Sequence, residues 1–402
     1  MKAIRFVGKV LLWLVIILCV AIGAVPPMLD QRYYEGARTA NFDGERFFNP
    51  GPDDTRAPPS GRSRTSFFRA MIFGSDERRV WPESVPVRQT KPAPRVEGDR
   101  MVATWIGHAT VLVQTQGLNI LTDPVYSDRS GPFGIGPLRV TVPGVAFDDL
   151  PKIDLIVVSH NHYDHMDTAT LKRLWDRDKP LIVTSLGNDT LLKRAGVKSV
   201  VADWNFEVGL FEDGRHDVLE PHTVREYPPR ASIYVTRNHH WSSRWFADRN
   251  RALWSSFVIS TRAGNIMFAG DTGFGDGKWP AEAAALGPVR LALIPIGAFR
   301  FRNGQMETAS HIGPHQAVEV FRRSKAAFAI PIHWGTFQLS YEARETPPRM
   351  LTEVLKCHGL PQGAFAAYRI GEAVEVPIAN PPEGVAKPEP ACLMSKAVTS
   401  LR

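Results

Sequence analysis

The run Ile153-Asp154-Leu155-Ile156-Val157-Val158-Ser159 leads directly into His160-Asn161-His162-Tyr163-Asp164-His165. Its first half is almost continuously apolar, the pattern of a strand covered on both faces. Its second half places four side chains with metal-binding lone pairs in one hexapeptide. A strand would send alternate side chains to opposite faces, so His160, His162, Asp164 and His165 can surround a common centre only from a tight loop after the strand. Imidazole nitrogen and carboxylate oxygen suit zinc at about 2.0 to 2.2 Å. Four ligands so closely spaced scarcely fit round one ion that must also admit water, and two ions sharing the loop is the better geometry. Burying these groups without a cation would leave their charge and polarity uncompensated.

Further ligands must come from later loops. Asp271, in Phe268-Ala269-Gly270-Asp271-Thr272-Gly273, ends an apolar run between glycines that allow close approach, although Gly-Asp-Thr-Gly is also a common turn. His333, in Ile330-Pro331-Ile332-His333-Trp334-Gly335, repeats that placement. The pair His239-His240 offers two candidates between which spacing does not choose, and His216, His222, His311 and His315 stay eligible. An isolated histidine is more often a hydrogen-bonding residue of core or surface than a ligand.

A chain of 402 residues can bury a full core. Residues 1–25 read as a membrane anchor or signal segment, 26–99 as a proline-rich arm, 100–378 as the catalytic domain and 379–402 as a loose polar tail. Val10 to Val25 carries no charge and follows Lys2, Arg5 and Lys9. It is a little short of the ~20 residues of a full span, but Phe6 to Gly8 with a snorkelling Lys9 extends it. Basic residues before it predict a cytoplasmic N-terminus in the inner membrane and a catalytic domain on the periplasmic side. The rival is a secretory signal cleaved near Ala21 to Ala24, giving a secreted protein. Cysteines stand only at 19, 357 and 392, with no paired metal motif, and a disulfide framework is not expected. The net charge of +7 favours an anionic surface. With no recognition helix or zinc finger, nucleic acid is not an expected partner.

The arm predicts an extended segment with at most one short helix near Phe67 to Phe73, either packed on the domain or a disordered spacer. Strands are predicted at 101–106, 110–115, 118–122, 153–159, 180–184, 197–201 and 206–210, with a hairpin turn at Gly117. More follow at 217–223, 255–261, 265–269, 292–295 and 327–331, with a terminal pair over 366–376 turning at Gly371. Helices are predicted at 167–176, capped by Asp167 or Thr168, and at 188–195, 280–286, 314–323 and 347–357. This interleaving argues for an α/β sandwich with helices outside two sheets, whose halves could meet near residue 230.

With these motifs in hand, the chain resembles the metallo-β-lactamase fold superfamily, whose His-x-His-x-Asp-His signature is matched by His160, His162, Asp164 and His165. More closely it resembles N-acylphosphatidylethanolamine-hydrolysing phospholipase D and its bacterial relatives. The resemblance runs over about residues 78 to 375, through Trp105-Ile106-Gly107-His108-Ala109-Thr110, Leu121-Thr122-Asp123-Pro124, His240-Trp241, Ala269-Gly270-Asp271-Thr272-Gly273 and Ile332-His333-Trp334-Gly335-Thr336-Phe337. It implies an αββα sandwich of two central mixed β-sheets and two Zn2+ ions per chain. His160, His162 and His240 would hold one ion, Asp164, His165 and His333 the other, and Asp271 would bridge them. It also implies that His311 lies near a substrate phosphate, to orient it or stabilise its charge; a zinc-bound water or His311 would protonate the departing alkoxide. The chain departs from the animal members in its N-terminal anchor and in His239.

The implied activity is release of N-acylethanolamine and phosphatidic acid from a membrane phospholipid, with the lipid bilayer as a partner. Zinc would supply hydroxide at neutral pH and neutralise developing charge. His108 and Asp123 are candidates to orient the imidazoles. Trp241, Trp245, Phe246, Phe299, Phe301 and Met306 are candidates to line an apolar route to the metals, though aromatics are equally expected in a core. The alternatives are hydrolysis of a lactone, a cyclic nucleotide or another phosphodiester, or a noncatalytic exported metal-binding module. Oligomeric state stays open, a homodimer among the options.

Overall fold

The computed structural model describes residues 2–51, 79–221, 223, 226–245, 247–301, 308–384, 388 and 390–401. The helix expected near Phe67 to Phe73 lies outside these residues, as do His222, Phe246 and Met306. Helix α1 (Lys2–Leu29) leads the chain. Its stretch Phe6–Leu29, with a mean hydropathy of 2.6, is long and apolar enough to cross a membrane by length and composition, a test that signal sequences also pass.

Two mixed seven-stranded sheets flanked by helices follow, an α/β fold of the αββα kind. The first sheet contains β1 (Met101–Gly107), β2 (Thr110–Thr115), β3 (Leu118–Thr122), β4 (Leu155–Val158), β5 (Leu181–Ser185) and β6 (Val200–Ala202) in that order, with the late strand β14 (Ala373–Glu375) at the edge beside β1. The second runs β13 (Phe328–Ile332), β12 (Val289–Pro295), β11 (Asn265–Phe268), β10 (Ser256–Ser260), β9 (Ala231–Thr236), β7 (Glu207–Leu210) and β8 (His216–Leu219). The crossing between sheets therefore falls between β6 and β7, not near residue 230. The alternating Ala231-Ser232-Ile233-Tyr234-Val235-Thr236, absent from the predicted strands, is β9, paired with both β7 and β10.

Period-two geometry explains the layering. In β2, Val111 and Val113 face the other sheet, while Leu112 faces outward. In β4, Leu155 and Val157 join the inner core, and Ile156 and Val158 meet Leu171 and Leu174 of α2 (Thr168–Asp178) and Leu192 of α3 (Asn188–Arg194). Asp167 caps α2 by accepting from the backbone N–H groups of Ala169 and Thr170. The β2–β3 hairpin turns through Gln116 (φ 50°) and Gly117 (φ 69°), two successive left-handed residues matching the twist of its strands. Helices α4 (Trp279–Ala284), α5 (Pro314–Arg323) and α6 (Thr346–Cys357) complete the domain.

The described parts of the arm are packed rather than loose. Phe42 and Phe47 are buried in the main core, the Val96 carbonyl accepts from the Gly117 N–H, and Arg95 pairs with Asp154. Of the expected terminal strand pair only β14 forms. The tail is also ordered where described: α7 (Pro390–Leu393) and α8 (Lys396–Thr399) carry Val398 and Leu401 into the core. The expectation of no disulfide is overturned, because α7 returns to the end of α6 and brings Cys392 onto Cys357 with their Cα atoms 5.7 Å apart. Two lone cysteines 35 residues apart carry no spacing signal; only the fold makes them neighbours.

Non-reducing peptide mapping should recover Cys357 joined to Cys392. Cys392→Ser should lower unfolding free energy by about 2–4 kcal/mol in a denaturant titration, and an unchanged midpoint would contradict the clip.

Candidate metal centre

The ligands that the resemblance implies all lie in loops that follow the C-terminal ends of strands. Strands β1, β3 and β4 run parallel, as do β9, β11 and β13, so the loops after them open at one edge of the sandwich. They carry His108, Asp123, the hexapeptide, His240, Asp271 and His333. Gly270 has φ 59°, and a Cβ there would stand 2.6 Å from Ser159 Cβ, so only glycine lets the Asp271 loop lie against the hexapeptide. His108, Asp123 and His333 hold φ angles of 53°, 30° and 61°, a conformation costly for residues with a Cβ.

Two groups of ligand atoms result. In one, His160 Nε2 lies 2.8 Å from His162 Nδ1, which is 3.3 Å from His240 Nε2. In the other, Asp164 Oδ2 lies 3.5 Å from His165 Nε2 and 3.4 Å from His333 Nε2. Asp271 Oδ2 stands between the groups, 3.2 Å from His165 Nε2, 3.0 Å from His333 Nε2 and 3.9 Å from His240 Nε2. His311 Nδ1 is 3.8 Å from the same oxygen. These clusters have the capacity to hold divalent metal ions.

A second layer holds the rings. Asp123 accepts from the Ser159 backbone N–H (2.7 Å) and the Ser159 hydroxyl (2.5 Å), and its Oδ2 lies 2.6 Å from His165 Nδ1. Ser159 Oγ is 2.9 Å from His160 Nδ1. His240 Nδ1 faces the Ser310 carbonyl at 2.8 Å, and His333 Nδ1 faces that of Gly297 at 3.3 Å. His108 Nε2 lies 2.9 Å from Asp164 Oδ2. His108 falls within the same cluster as Asp164, His165 and His333, but a nitrogen bonded to a carboxylate is better suited to orient that carboxylate than to bind beside it. Sequence reasoning gave no role to Ser159 or to the Ser310 and Gly297 carbonyls; only the position of Ser159 before His160 hinted at one.

The electrostatics fit a cation. His165 Nε2 and His333 Nε2 are buried and make no hydrogen bond among the described residues, despite Asp271 Oδ2 at 3.2 and 3.0 Å. Their lone pairs converge on shared points rather than on one another, as ligands do. Burial pushes His108, His162, His240 and His311 each down to about 3. Burial also opposes charge on His333, but Asp271 and Asp164 overcome it and raise the ring to about 9. His165 is likewise raised against burial by Asp271 and Asp164. Both carboxylates stay well below their usual range, because these imidazoles outweigh the burial that disfavours their charge. Without a metal, then, the site gathers protons in its place.

The other candidates are scattered. His239 packs beside Gly275 and Asp276, His216 is exposed on β8, and His315 lies on α5. Trp241 sits edge-on to His162 with centroids 4.2 Å apart, and Phe301 is 5.2 Å from His311. Phe299 belongs to the sealed core and lines no route.

Metal uptake should release protons, because His333 is protonated below about 9 and a metal must displace that proton. Affinity should therefore fall as pH drops, and the calorimetric heat should scale with the ionisation enthalpy of the buffer. A heat independent of buffer would refute this.

Residues 118–334 match the beta-lactamase superfamily domain. The chain is 32% identical over 321 residues to N-acyl-phosphatidylethanolamine-hydrolyzing phospholipase D 1 of Caenorhabditis elegans, covering 77% of this chain and 87% of that protein. It is 32% identical over 241 residues to the mitochondrial N-acyl-phosphatidylethanolamine-hydrolyzing phospholipase D of Saccharomyces cerevisiae, covering 60% of this chain and 48% of that protein. Among solved structures, isothiocyanate hydrolase from Delia radicum gut bacteria shares the fold at a TM-score of 0.50 and 19% identity, over 68% of this chain and 98% of that one. Together with the clustered histidines and aspartates, the match over more than half of the chain makes this protein a metal-dependent hydrolase that belongs to the metallo-β-lactamase superfamily.

Proposed function

We propose that this hydrolase is a dizinc, phospholipase D-type phosphodiesterase that converts N-acylphosphatidylethanolamine to N-acylethanolamine and phosphatidic acid. The observation that carries this reading is Asp271 standing between two ligand groups, in a chain similar along most of its length to the Caenorhabditis elegans enzyme of that name. His160, His162 and His240 would hold one ion, and Asp164, His165 and His333 the other. Asp271 would be shared, with His108 and Asp123 orienting Asp164 and His165. Two zinc ions so held supply hydroxide at neutral pH and neutralise charge on phosphoryl oxygens.

The remaining side chains bind and orient. Burial keeps His311 neutral at pH 7, which favours a hydrogen bond to a phosphate oxygen over proton donation to the leaving alkoxide. An apolar lip supports a lipid substrate: Phe133 and Ile135 are 87% and 71% exposed on the 131–138 loop, and the Phe133 ring lies 5.7 Å from that of Trp245. Helix α1 would anchor the enzyme to a bilayer, and the Cys357–Cys392 bond suits an oxidising compartment beyond the cytoplasm. The His/Asp arrangement itself is not particular to phosphodiesters. Hydrolysis of a lactone or cyclic nucleotide is therefore the second reading, favoured if catalysis needs no apolar lip.

Metal-loaded protein given a mixed lipid extract should release N-acylethanolamine, identified by mass, and Asp271→Asn should lower that rate at least about 100-fold. Turnover of soluble esters alone would refute the substrate. Phe133→Asp with Ile135→Asp should slow hydrolysis of vesicle lipid about tenfold by weakening apolar contact, while the rate on a soluble diester is kept. Equal losses on both substrates would count against a membrane role for the loop.

A further inference from the structure

The chain between helix α1 and residue 51 does more than join an anchor to a domain. His240 stands at the head of a connection, 240–255, that has no regular secondary structure in its described residues, yet a metal ligand there must be held to a fraction of an ångström. Part of the rigidity is internal. The Asp248 carboxylate accepts from the Ser243 hydroxyl (2.6 Å) and from the backbone N–H groups of Arg244 and Trp245 (3.0 and 2.8 Å). Asn250 Oδ1 accepts from the Ser242 N–H at 3.2 Å.

The rest comes from residues about two hundred positions earlier. Asn49 Nδ2 donates to the backbone carbonyl of His240 at 3.1 Å, and Asn49 Oδ1 accepts from the indole N–H of Trp254 at 3.1 Å. One buried amide thus spans both ends of the connection. Tyr33 donates its hydroxyl to Asp248 at 2.7 Å, and the Phe47 N–H donates to the Asn250 carbonyl at 2.8 Å. Asp30 receives two bonds from Arg251, at 2.8 and 2.9 Å, and one from Arg46 at 2.6 Å.

The fastening then reaches the hexapeptide. Arg244, whose backbone Asp248 holds, donates Nη1 to the carbonyls of Asn161 and Met166 at 3.1 and 2.9 Å, and its guanidinium covers the Tyr163 ring at 3.5 Å. Those two carbonyls bracket His162, Asp164 and His165. The His240 ring, meanwhile, faces the Ser310 carbonyl, so this residue is gripped at its main chain by the arm and at its ring by the domain.

We infer that residues 30–49 are a structural part of the metal centre, in which Asn49 and Tyr33 are positioning residues that hold the His240 connection in register with the hexapeptide. The inference rests on the two-metal reading above. Its consequence is that the segment following α1 belongs with the catalytic domain, and loosening it acts first on the ion bound by His160, His162 and His240.

The test uses full-length protein in detergent, stripped of metal and titrated with Co2+, with visible absorption and metal content after dialysis as readouts. Asn49→Asp keeps the volume and the acceptor for Trp254 but turns an oxygen towards the His240 carbonyl. It should bind one of two ions about 10- to 100-fold more weakly, with an altered Co2+ spectrum, and keep the other. Tyr33→Phe should act in the same direction by about threefold, as loss of one supporting hydrogen bond does. Thermal melts identify folded variants, and if Asn49→Asp does not melt cooperatively, Tyr33→Phe, which deletes one hydroxyl, decides alone. Wild-type protein holding fewer than two ions would overturn the two-metal reading and this inference with it. Wild type holding two, with folded variants binding both as tightly and with unchanged spectra, would overturn the inference alone.

Discussion

Uncompensated charge at the meeting of the two sheets is the constraint on which the rest of this structure depends. Asp271, buried, and Asp164, half-buried, are both ionised beside His165 and His333, an arrangement too costly to keep unless positive charge is always at hand. Protons on His165 and His333 meet that need in the absence of a metal; divalent ions would meet it through lone pairs already gathered there. The left-handed backbones of His108, Asp123 and His333, the bare Gly270 and the seryl bridge from Asp123 to His160 are all costs that a soft site would not carry.

Around that centre the fold acts as a rigid edge. Parallel strands deliver their loops to one side, and the apolar layers that flank β4 leave the hexapeptide no freedom to drift, because Leu155 and Val157 are locked into one core and Ile156 and Val158 into the other. Precision at the ligands is borrowed from two hydrophobic layers that have no chemistry of their own. The same logic extends outward through Arg244 and Asp248 to the segment behind the N-terminal helix, and at the far end of the chain through the Cys357–Cys392 clip. The segment that follows α1 and the described part of the C-terminal tail are both packed on the domain, while α1 itself stands exposed.

The candidate site was legible because ligation restricts residue type and spacing within one loop. Four ligand types in the hexapeptide, an aspartate between glycines at 271 and a histidine after an apolar run at 333 are local patterns. Strands with clear periodicity, such as 110–115 and 265–269, were legible for a similar reason. What local pattern could not carry was partnership across distance. Histidines 239 and 240 are indistinguishable by spacing; in the structure the first turns to Asp276 and the second to His162. Phe299 and Phe301 differ by two positions and end in a sealed core and beside His311.

The sequence by itself therefore determined the layered α/β architecture, the metal-binding character and the apolar helix at the start, because periodicity and donor chemistry are properties of short segments. Tertiary structure alone decided that Asp271 stands between two ligand groups, that Asn49 reaches His240, and that Cys392 meets Cys357. Each of these joins residues whose separation along the chain says nothing of their distance in space, and only close packing of both sheets, the 30–49 segment and the C-terminal tail brings them within bonding range.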